Sequence, residues 1–497
     1  MSQIMIQDLG FTYEGDYTPV FEGLDLQLDT NWRLGLVGRN GRGKTTLLRL
    51  LEGELEGVGQ IILPGRCRRY PKPVLHMDLP TRQVLLDGME DVDEWRLIRE
   101  FSRLGLGEDL LDRPFHSLSG GEQTRAALAA IFLDEDSYPM LDEPTNHLDV
   151  QGRELVAAYL KNTRRGFLLV SHDRAFLNHC IDHVLALNQT GPELMRGDFS
   201  TWFQEKEARD RGEQERNEKL KGDIRRLEQA ARRASDWSER TEQSKFNSKN
   251  SGLRVDRGFI GHKSAKMMKR AKTLEARQRS AIQEKSALLR DVECADSLKL
   301  TPLDYHSERI LELRNFAVCY EESPACKGVS FTLKRGDRIC LDGGNGSGKT
   351  SLLRAVLGEN LSHIGTLWRA SGLKISYVSQ KTDHLKGSPL EWAERQGIDL
   401  TRFFTVLRKL DFSRALFERD MSGYSEGQKK KVLLAVSLCQ SAHLYIWDEP
   451  LNYIDLFSRI QIEDLLLDFQ PTLLFVEHDQ MFRQKIATNT VRLRSDC

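Results

Sequence analysis

A glycine-rich segment that ends in Gly-Lys-Thr occurs twice in this chain, at residues 38–45 and again at residues 343–350. Both copies fit the spacing G-x-x-x-x-G-K-[ST], in which backbone N–H groups surround phosphates, the lysine reaches the outer phosphates and the hydroxyl helps to hold Mg²⁺. Each copy follows a predicted buried strand, residues 34–37 or 338–341, and precedes a helical pattern whose N-terminal dipole favours anions. One copy could be an ordinary glycine turn, but two in the same context predict two phosphate-binding loops.

The loops supply the first set of candidate ATP-binding residues. In the first copy these are Gly38, Asn40, Gly41, Gly43, Lys44, Thr45 and Thr46, and in the second Gly343, Asn345, Gly346, Gly348, Lys349, Thr350 and Ser351. Thr45 and Thr350 are also predicted metal ligands through their hydroxyls. The chain is therefore expected to use ATP and Mg²⁺ as cofactors.

An Asp-Glu pair follows an apolar run in each half, at Asp142-Glu143 and at Asp448-Glu449. These acids stand at the carboxyl end of a predicted strand, where open α/β sheets bind ligands. Transfer of a phosphoryl group to water needs a metal to neutralise charge and a group that orients the nucleophile. We expect Asp142 and Asp448 to bind the metal and Glu143 and Glu449 to activate water. The alternative is a pair of solvent-exposed acidic strand ends.

Between each loop and its acidic pair lies a third motif, Leu118-Ser119-Gly120-Gly121-Glu122 in the first half and Tyr424-Ser425-Glu426-Gly427-Gln428 in the second. Both resemble the signature loop of ATP-binding-cassette (ABC) ATPases, although alone such a string is more often a helix cap. In that family the loop serves the nucleotide held by the opposite cassette. The resemblance implies ATP contacts from Ser119, Gly120, Gly121, Ser425, Gly427 and Gln428.

Other family positions match residue by residue. His172 and His478 match the histidine that contacts the terminal phosphate, and Asp149 and Asp455 match the loop that communicates between the sites. Tyr13 and Tyr320 match the aromatic residue that stacks on adenine, with ordinary strand tyrosines as the alternative.

Gln380 matches the glutamine that senses metal and water, and it is an expected ATP and metal contact. If Tyr70 corresponds to Tyr377, the first half has Pro73 where the glutamine should be. Proline offers no side-chain acceptor. We therefore expect two hydrolytic sites of unequal rate.

The composition limits the possible location of the protein. No run of 18 or more apolar residues occurs, the N-terminus lacks a basic-then-apolar signal, and the eight cysteines form no C-x-x-C pair. These features predict a cytoplasmic protein with reduced thiols and no membrane contact.

The net charge of −1 conceals a strongly basic segment. Residues 221–290 carry 19 Lys and Arg against 8 Asp and Glu, a net charge of +11, so that the remainder carries −12. Apolar residues recur every seven positions on both sides of a turn-rich stretch at residues 245–252, which predicts an antiparallel helical hairpin. Such a rod would bind phosphate backbones by counterion release, and the alternative is a solvated spacer.

The tip of this hairpin carries the candidate contacts to RNA or to a ligand. They are Phe246, Arg254, Val255, Arg257, Phe259, Lys263, Lys266, Lys269 and Arg270. The apolar members could instead pack the end of the hairpin.

The whole chain resembles the ABC-F family of translation factors, and the runs at residues 39–51 and 445–453 are similar to its Lsa-type antibiotic-resistance branch. The expected fold is α/β, with two ABC-type P-loop ATPase domains (residues 1–203 and 301–497) joined by a long antiparallel α-helical hairpin (residues 204–300). The resemblance implies a monomer whose cassettes close on ATP at the exit site of the bacterial 70S ribosome. The hairpin would then contact 23S rRNA and P-site tRNA and displace lincosamides, streptogramin A compounds or pleuromutilins.

Three alternatives come from other classes. A housekeeping ABC-F factor would share every ATPase residue, although only a short stretch separates Pro73 from the first signature loop, which leaves little room for the arm insertion of those members. A transporter ATPase would not need the basic hairpin. A DNA-repair ATPase would need a longer coiled coil or zinc ligands, so that no DNA partner is expected.

Overall fold

The computed structural model describes residues 3–15, 18–72, 74, 76–87, 89, 93–146, 148–188, 191–244, 273, 276–277, 298–320, 323–324, 328–344 and 346–493. Its contacts divide the chain into two units, residues 1–202 with 295–497, and residues 203–294. The first unit contains both halves that carry the repeated motifs.

Among its described residues, the first half contains nine strands and six helices. The strands are β1 (Gln3–Phe11), β2 (Phe21–Asp29), β3 (Arg33–Val37), β4 (Val58–Ile62), β5 (Arg66–Tyr70), β6 (Ser137–Asp142), β7 (Phe167–Val170), β8 (His183–Asn188) and β9 (Gly191–Arg196). The helices are α1 (Lys44–Glu52), α2 (Thr81–Leu86), α3 (Glu94–Arg103), α4 (Gly120–Leu133), α5 (Val150–Asn162) and α6 (Arg174–Cys180). Short 3₁₀ turns cover Glu108–Leu111 and Phe115–Ser117.

The second half repeats this order. Its strands are β10 (Arg309–Tyr320), β11 (Ser323–Pro324), β12 (Val329–Lys334), β13 (Arg338–Asp342), β14 (His363–Arg369), β15 (Ile375–Val378), β16 (Leu444–Asp448), β17 (Leu473–Val476) and β18 (Asn489–Arg492). Between α6 and this half lies α7 (Phe199–Ser244), and the helices that follow are α8 (Lys349–Leu357), α9 (Pro389–Arg395), α10 (Leu400–Lys409), α11 (Glu426–Cys439), α12 (Leu456–Phe469) and α13 (Gln480–Ile486). Short 3₁₀ turns cover Arg414–Leu416 and Met421–Gly423.

Each half is built on a mainly parallel sheet. The strand order is β5-β6-β7-β3-β8-β9 in the first half and β15-β16-β17-β13-β18 in the second, with β9 antiparallel to β8. The central strands pair in register, Leu34 with Leu168 and Ile446 with Leu474. The loop after β3 and the acids at the end of β6 therefore meet at one edge of the sheet, as do their equivalents after β13 and β16.

Burial explains why these strands form. Every residue of β7, β16 and β17 is buried, as expected for parallel strands that are covered on both faces. Smaller antiparallel sheets, β2-β1-β4 in the first half and one centred on β10 in the second, complete each cassette. The predicted α/β fold with two ATPase domains is confirmed.

The basic segment is described only in part. Its first arm forms helix α7, which runs to Ser244. The second arm is described only at residues 273 and 276–277, which are helical, and the predicted tip from Phe246 to Arg270 lies outside the described residues. The hairpin therefore remains a prediction. No helix in the described part of the chain is both long and apolar enough to cross a membrane.

Candidate functional site

The two phosphate-binding loops have the same backbone shape. Gly43 and Gly348 precede helices α1 and α8 with φ of 82° and 81°, a left-handed conformation that favours glycine. A Cβ at Gly43 would also lie 2.6 Å from atoms of Phe21 and Val20. Local backbone geometry and close packing therefore both require glycine at the first of these positions.

The loop lysines are buried within the loops that they follow. Lys44 donates from Nζ to the carbonyl of Gly38 at 2.7 Å, and Lys349 donates to the carbonyl of Gly343 at 2.8 Å. Burial lowers the pKa of both amino groups, and nearby Asp and Glu side chains oppose that shift. Each cationic group thus lies inside a ring of backbone dipoles, where a phosphate would neutralise it.

The first acidic pair lies directly beside the first loop. Thr45 donates from Oγ1 to Oδ2 of Asp142 at 2.9 Å. Burial raises the pKa of Asp142. Residues Thr45 and Asp142 are therefore brought together as predicted for a metal site.

Glu143 occupies a strained and poorly satisfied position. Its φ of 52° is unusual for a residue other than glycine, and its Oε1 lies 3.5 Å from Nε2 of His172. Within the described part of the chain, that buried oxygen has no hydrogen-bond partner. Burial and the neighbouring Asp142 raise the pKa of Glu143 to about 8, and burial lowers the pKa of His172 well below its usual value.

The second acidic pair has different surroundings. Glu449 also has a positive φ, of 47°, and its Oε1 lies 3.4 Å from Nε2 of His478. Asn452 donates from Nδ2 to Oε2 of Glu449 at 2.6 Å. Burial alone would raise the pKa of Glu449, but His478, the Gln380 amide and Lys430 together lower it to about 2.

Asp448 provides the structural test for a metal at the second site. It is fully buried, and both carboxylate oxygens lack a hydrogen-bond partner among the described residues. Burial raises its pKa to about 6, although the nearby Thr350 side chain opposes the shift. A buried acid with unsatisfied oxygens beside a threonine hydroxyl fits a magnesium ligand set, since Mg²⁺ prefers hard oxygen ligands.

The signature serines cap the helices that follow them. Ser119 and Ser425 each accept from the backbone N–H three residues on, at 3.3 Å, and Glu122 and Gln428 complete reciprocal capping boxes. The helix-cap interpretation thus describes both loops. A capped helix start still offers N–H groups to an anion, so the cap does not conflict with phosphate binding.

A cavity of about 450 Å³ lies between the two halves. The first half contributes the loop residues Asn40 and Gly41 with Glu143 and His172, and the second contributes the signature loop from Ser425 to Gln428. Asn40 donates from Nδ2 to the carbonyl of Tyr453 at 3.4 Å, directly across this boundary. The first phosphate-binding loop therefore faces the signature loop of the opposite half, in the head-to-tail arrangement that the motifs predict.

A reciprocal contact joins the halves at the second site. Arg153 donates from Nη1 to the carbonyl of His478 and to Oδ2 of Asp173, both at 3.3 Å. Both predicted communication residues are helix N-caps, since Asp149 accepts from the N–H of Gly152 and Asp455 from that of Ser458. These aspartates start the helices that carry Arg153 and its counterpart Arg459.

The remaining predicted residues have mixed outcomes. Tyr13 lies against the first loop, with its hydroxyl 2.9 Å from Oγ1 of Thr46. Only the backbone of Tyr320 is described, and Asn345 and Pro73 lie outside the described residues. Gly120 and Gly121 form the first turn of α4, and Gly427 occupies the same turn of α11.

Several residues around the site were missed by motif reasoning. Tyr453, Arg459 and Lys431 line the composite cavity, and Lys431 forms a buried ion pair with Asp455 at 2.8 Å. Glu477 accepts from the N–H of Leu451 at 2.7 Å, and the residue at the equivalent position of the first half is Ser171. Comparison of the halves could have found two of them, since Arg459 matches Arg153 counted from the N-cap aspartates and Lys431 matches Arg125 counted from the signature serines.

Comparisons with known proteins agree with this geometry. The 29% identical ATP-binding protein Uup of Caulobacter vibrioides matches over 96% of this chain and 75% of its own length. Ribosome protection protein VmlR of Bacillus subtilis is 28% identical over 95% of this chain and 84% of its own length. Among solved structures, the archaeal ribosome recycling factor aABCE1, in complex with ribosomal stalk protein aP1, superposes with a TM-score of 0.63 at 19% identity. That match covers 98% of this chain and 89% of the other, and it supports the fold alone.

The sequence profile described as ABC transporter matches twice, over residues 21–146 and 326–452, which together make up half of the chain. Each match contains a phosphate-binding loop, a signature loop and an acidic pair. The chain therefore belongs to the ABC transporter family, as an ATPase with two ATP-binding domains in tandem.

Proposed function

We propose that this protein is an ABC-F ATPase that binds the bacterial 70S ribosome and protects it from antibiotics of the peptidyl-transferase region. The observation that carries the proposal is the match to a ribosome protection protein over 95% of this chain and 84% of that relative. A likeness of this extent includes the segment between the cassettes as well as the cassettes themselves.

The catalytic step is hydrolysis of ATP at two sites. Glu143 and Glu449 orient and activate the attacking water, and His172 and His478 lie within 3.5 Å and 3.4 Å of them to contact the terminal phosphate. Lys44 and Lys349 balance the charge of the outer phosphates. Mg²⁺ held by Thr45 and Asp142, or by Thr350, Gln380 and Asp448, would neutralise the phosphate oxygens when bound.

Closure of the two halves completes each site. Asn40 and Gly41 already share a cavity with Ser425 and Gly427. ATP bound there would contact the loop lysine of one half and the N–H groups of the opposite signature helix, and so would hold the halves together. Hydrolysis would remove that connection and release the protein from its partner.

The basic segment is the part proposed to meet RNA. Helix α7 extends over 46 residues, and residues 221–290 carry a net charge of +11. Charge of this density favours contact with the phosphate backbone of 23S rRNA at the exit site, next to P-site tRNA. Tip residues including Phe246, Val255 and Phe259 would act near the drug site.

The resemblance to the Lsa-type branch limits the proposed drugs to lincosamides, streptogramin A compounds and pleuromutilins. The proposed location of the protein is the cytoplasm of a bacterium. A housekeeping ABC-F role without a drug is the second candidate. It is favoured by relatives of similar identity, Uup and the putative ATP-binding protein YdiF of Bacillus subtilis, whose names state only ATP binding.

Expression in a susceptible bacterium, challenged with a panel of large-subunit inhibitors, separates the two candidates. Wild-type protein is expected to raise the inhibitory concentrations of lincosamides, streptogramin A compounds and pleuromutilins. The matched Glu143→Gln/Glu449→Gln variant is expected to give no protection. Ribosome binding without protection against any drug would favour the housekeeping role. Absence of ribosome binding at low salt with a non-hydrolysable ATP analogue would contradict both candidates.

The RNA contact has its own test. Reversing the charge of Lys263, Lys266, Lys269 and Arg270 should weaken ribosome association in pelleting assays and make it less dependent on salt, because fewer counterions are released. Reversal of Lys161, Arg164, Lys374 and Lys386, four exposed basic residues outside residues 221–290, is the matched control. If the tip variant bound ribosomes as well as the wild type, the segment would act as a spacer and not as an RNA contact.

A further inference from the structure

Lys430, on helix α11, is a buried cation that none of the ATPase motifs includes. Its side chain is 2% exposed. Nζ donates to three backbone carbonyls, those of Ser379 at 2.8 Å, Glu449 at 3.0 Å and Asp448 at 3.3 Å. All three hydrogen atoms of the ammonium group therefore have an acceptor.

These carbonyls belong to two different parts of the second site. Ser379 immediately precedes Gln380, and Asp448 and Glu449 form the acidic pair. One ammonium group thus ties the glutamine segment to the end of strand β16. The Gln380 amide and the Glu449 carboxylate interact across the same gap, so Lys430 holds the backbone on both sides of that contact.

The electrostatic role agrees with the geometry. After the opposing effect of burial, His478, Gln380 and Lys430 lower the pKa of Glu449. Burial in turn lowers the pKa of Lys430 to about 8, while Glu477, Asp448 and Glu449 oppose that shift. Burial of an ammonium group is costly unless its hydrogen bonds and charge are satisfied, and here three carbonyls and the nearby carboxylates satisfy them.

The equivalent position of the first half carries a different group. Counting from the signature serines, the residue equivalent to Lys430 is Thr124, which accepts from the hydroxyl of Tyr70 at 3.1 Å. A threonine side chain offers one hydroxyl donor and cannot join three carbonyls. Tyr70 pairs with Leu141 as Val378 pairs with Trp447, so that Lys72, rather than the expected Pro73, stands at the position of Gln380. In the same half a Glu143 oxygen has no hydrogen-bond partner among the described residues.

We infer that Lys430 is a positioning residue for hydrolysis at the second site, where it fixes Gln380 and Glu449 relative to each other so that both face the attacking water. The inference rests on the proposed role of Glu449. It assigns the difference between the two sites to one residue outside their motifs.

The test uses a Glu143→Gln background, in which only the second site turns over. Lys430→Met keeps the length of the side chain and removes its donors, and Lys430→Thr installs the residue of the first half. Both should lower kcat between about 10- and 100-fold, as removal of outer-shell partners does, with KM for ATP changed less than about twofold. Lys430→Gln, which keeps two donors, should recover part of the loss.

Thr124→Val in a Glu449→Gln background is the matched control and should leave the residual rate nearly unchanged. Each purified variant is compared by thermal unfolding, and Lys430→Thr keeps the test decisive if Lys430→Met fails to fold. The inference would be overturned by an unchanged kcat in a folded Lys430→Thr protein. It would also be overturned if kcat/KM fell only because KM for ATP rose. Full activity of the Glu143→Gln/Glu449→Gln protein would instead contradict the proposed role of Glu449.

Discussion

Glu143 and Glu449 end equivalent strands and follow equivalent aspartates, yet the groups around them differ. Glu449 is contacted by Asn452 and His478 and has a pKa of about 2, whereas Glu143 keeps an unsatisfied oxygen and has a pKa of about 8. Identical motifs therefore do not give identical sites. Residues outside the motifs also differ, since Lys430 donates to the carbonyl of Glu449 and the equivalent residue of the first half is Thr124.

The halves also differ where they meet. Arg174 pairs with the fully buried Glu463 of the other half, with one contact of 3.1 Å, and Lys485 approaches the same carboxylate at 3.1 Å. The equivalent positions on the reciprocal side are Gln480 and Ala157. At these equivalent positions the boundary carries an ion pair on one side and an uncharged pair on the other, which makes the twofold relation approximate.

The largest expected effect is loss of turnover when both glutamates are changed. Glu143→Gln/Glu449→Gln should lower the steady-state ATPase rate by at least about 100-fold, because water loses its activating base at both sites. Binding of a fluorescent ATP analogue should persist, since the loops are intact. A double variant with a normal rate would show that neither glutamate acts on water.

The single variants measure the difference between the sites. Glu449→Gln should remove most of the activity, about tenfold or more, and Glu143→Gln should cost no more than about twofold. The reason is that His478, Gln380 and Lys430 favour the ionised form of Glu449, whereas burial and Asp142 disfavour the ionised form of Glu143. Equal losses in steady-state assays would mean that nucleotide binding makes the sites equivalent.

Loss of the ion pair between Arg174 and Glu463 should have the next largest effect, on the stability of the fold. Glu463→Gln leaves the buried Arg174 without its carboxylate, which typically costs about 3–5 kcal/mol, and Arg174→Gln should cost less because Lys485 still pairs with Glu463 at 3.1 Å. The double variant Arg174→Gln/Glu463→Ala reproduces the residues of the reciprocal side and should recover part of the loss. Thermal unfolding measures all three proteins, and identical midpoints for wild type and both single variants would refute the prediction.

The smallest effect is a pH-dependent difference in stability without nucleotide or metal. The pKa of Glu143 is raised from 4.5 to about 8, so that its ionisation costs stability as pH rises through this window. The pKa of Glu449 is lowered from 4.5 to about 2, so that its ionisation stabilises the fold above pH 4.5 and this contribution is lost as pH falls toward 2.

Glu143→Gln should therefore raise the unfolding midpoint at pH 8.5 and leave it unchanged near pH 4.5. Glu449→Gln should lower it at pH 7. Calorimetric scans in a chelator at three pH values provide the measurement. If both variants changed the unfolding midpoint in the same way at each pH, the proposed electrostatic difference between the sites would be wrong.

Motifs were sufficient for most of the cassette. The strands before each loop, the helices after them and the strands that end in Asp142 and Asp448 all occur where the sequence predicts. These features follow from short-range rules, since apolar runs form buried parallel strands and a left-handed glycine starts the helix. The structure also brings Thr45 to Asp142 as expected, and it places the Gln380 side chain beside Glu449.

Sequence by itself thus determined the family, the repeated α/β cassette and the chemistry available at each motif, because these depend on residue type and local spacing. Only the tertiary structure decided that Asn40 meets the carbonyl of Tyr453, that Arg174 crosses to Glu463, and that Lys430 spans Ser379 and Glu449. Such contacts join residues far apart in the chain. Their energies depend on burial and on the partners brought together, which no local pattern specifies.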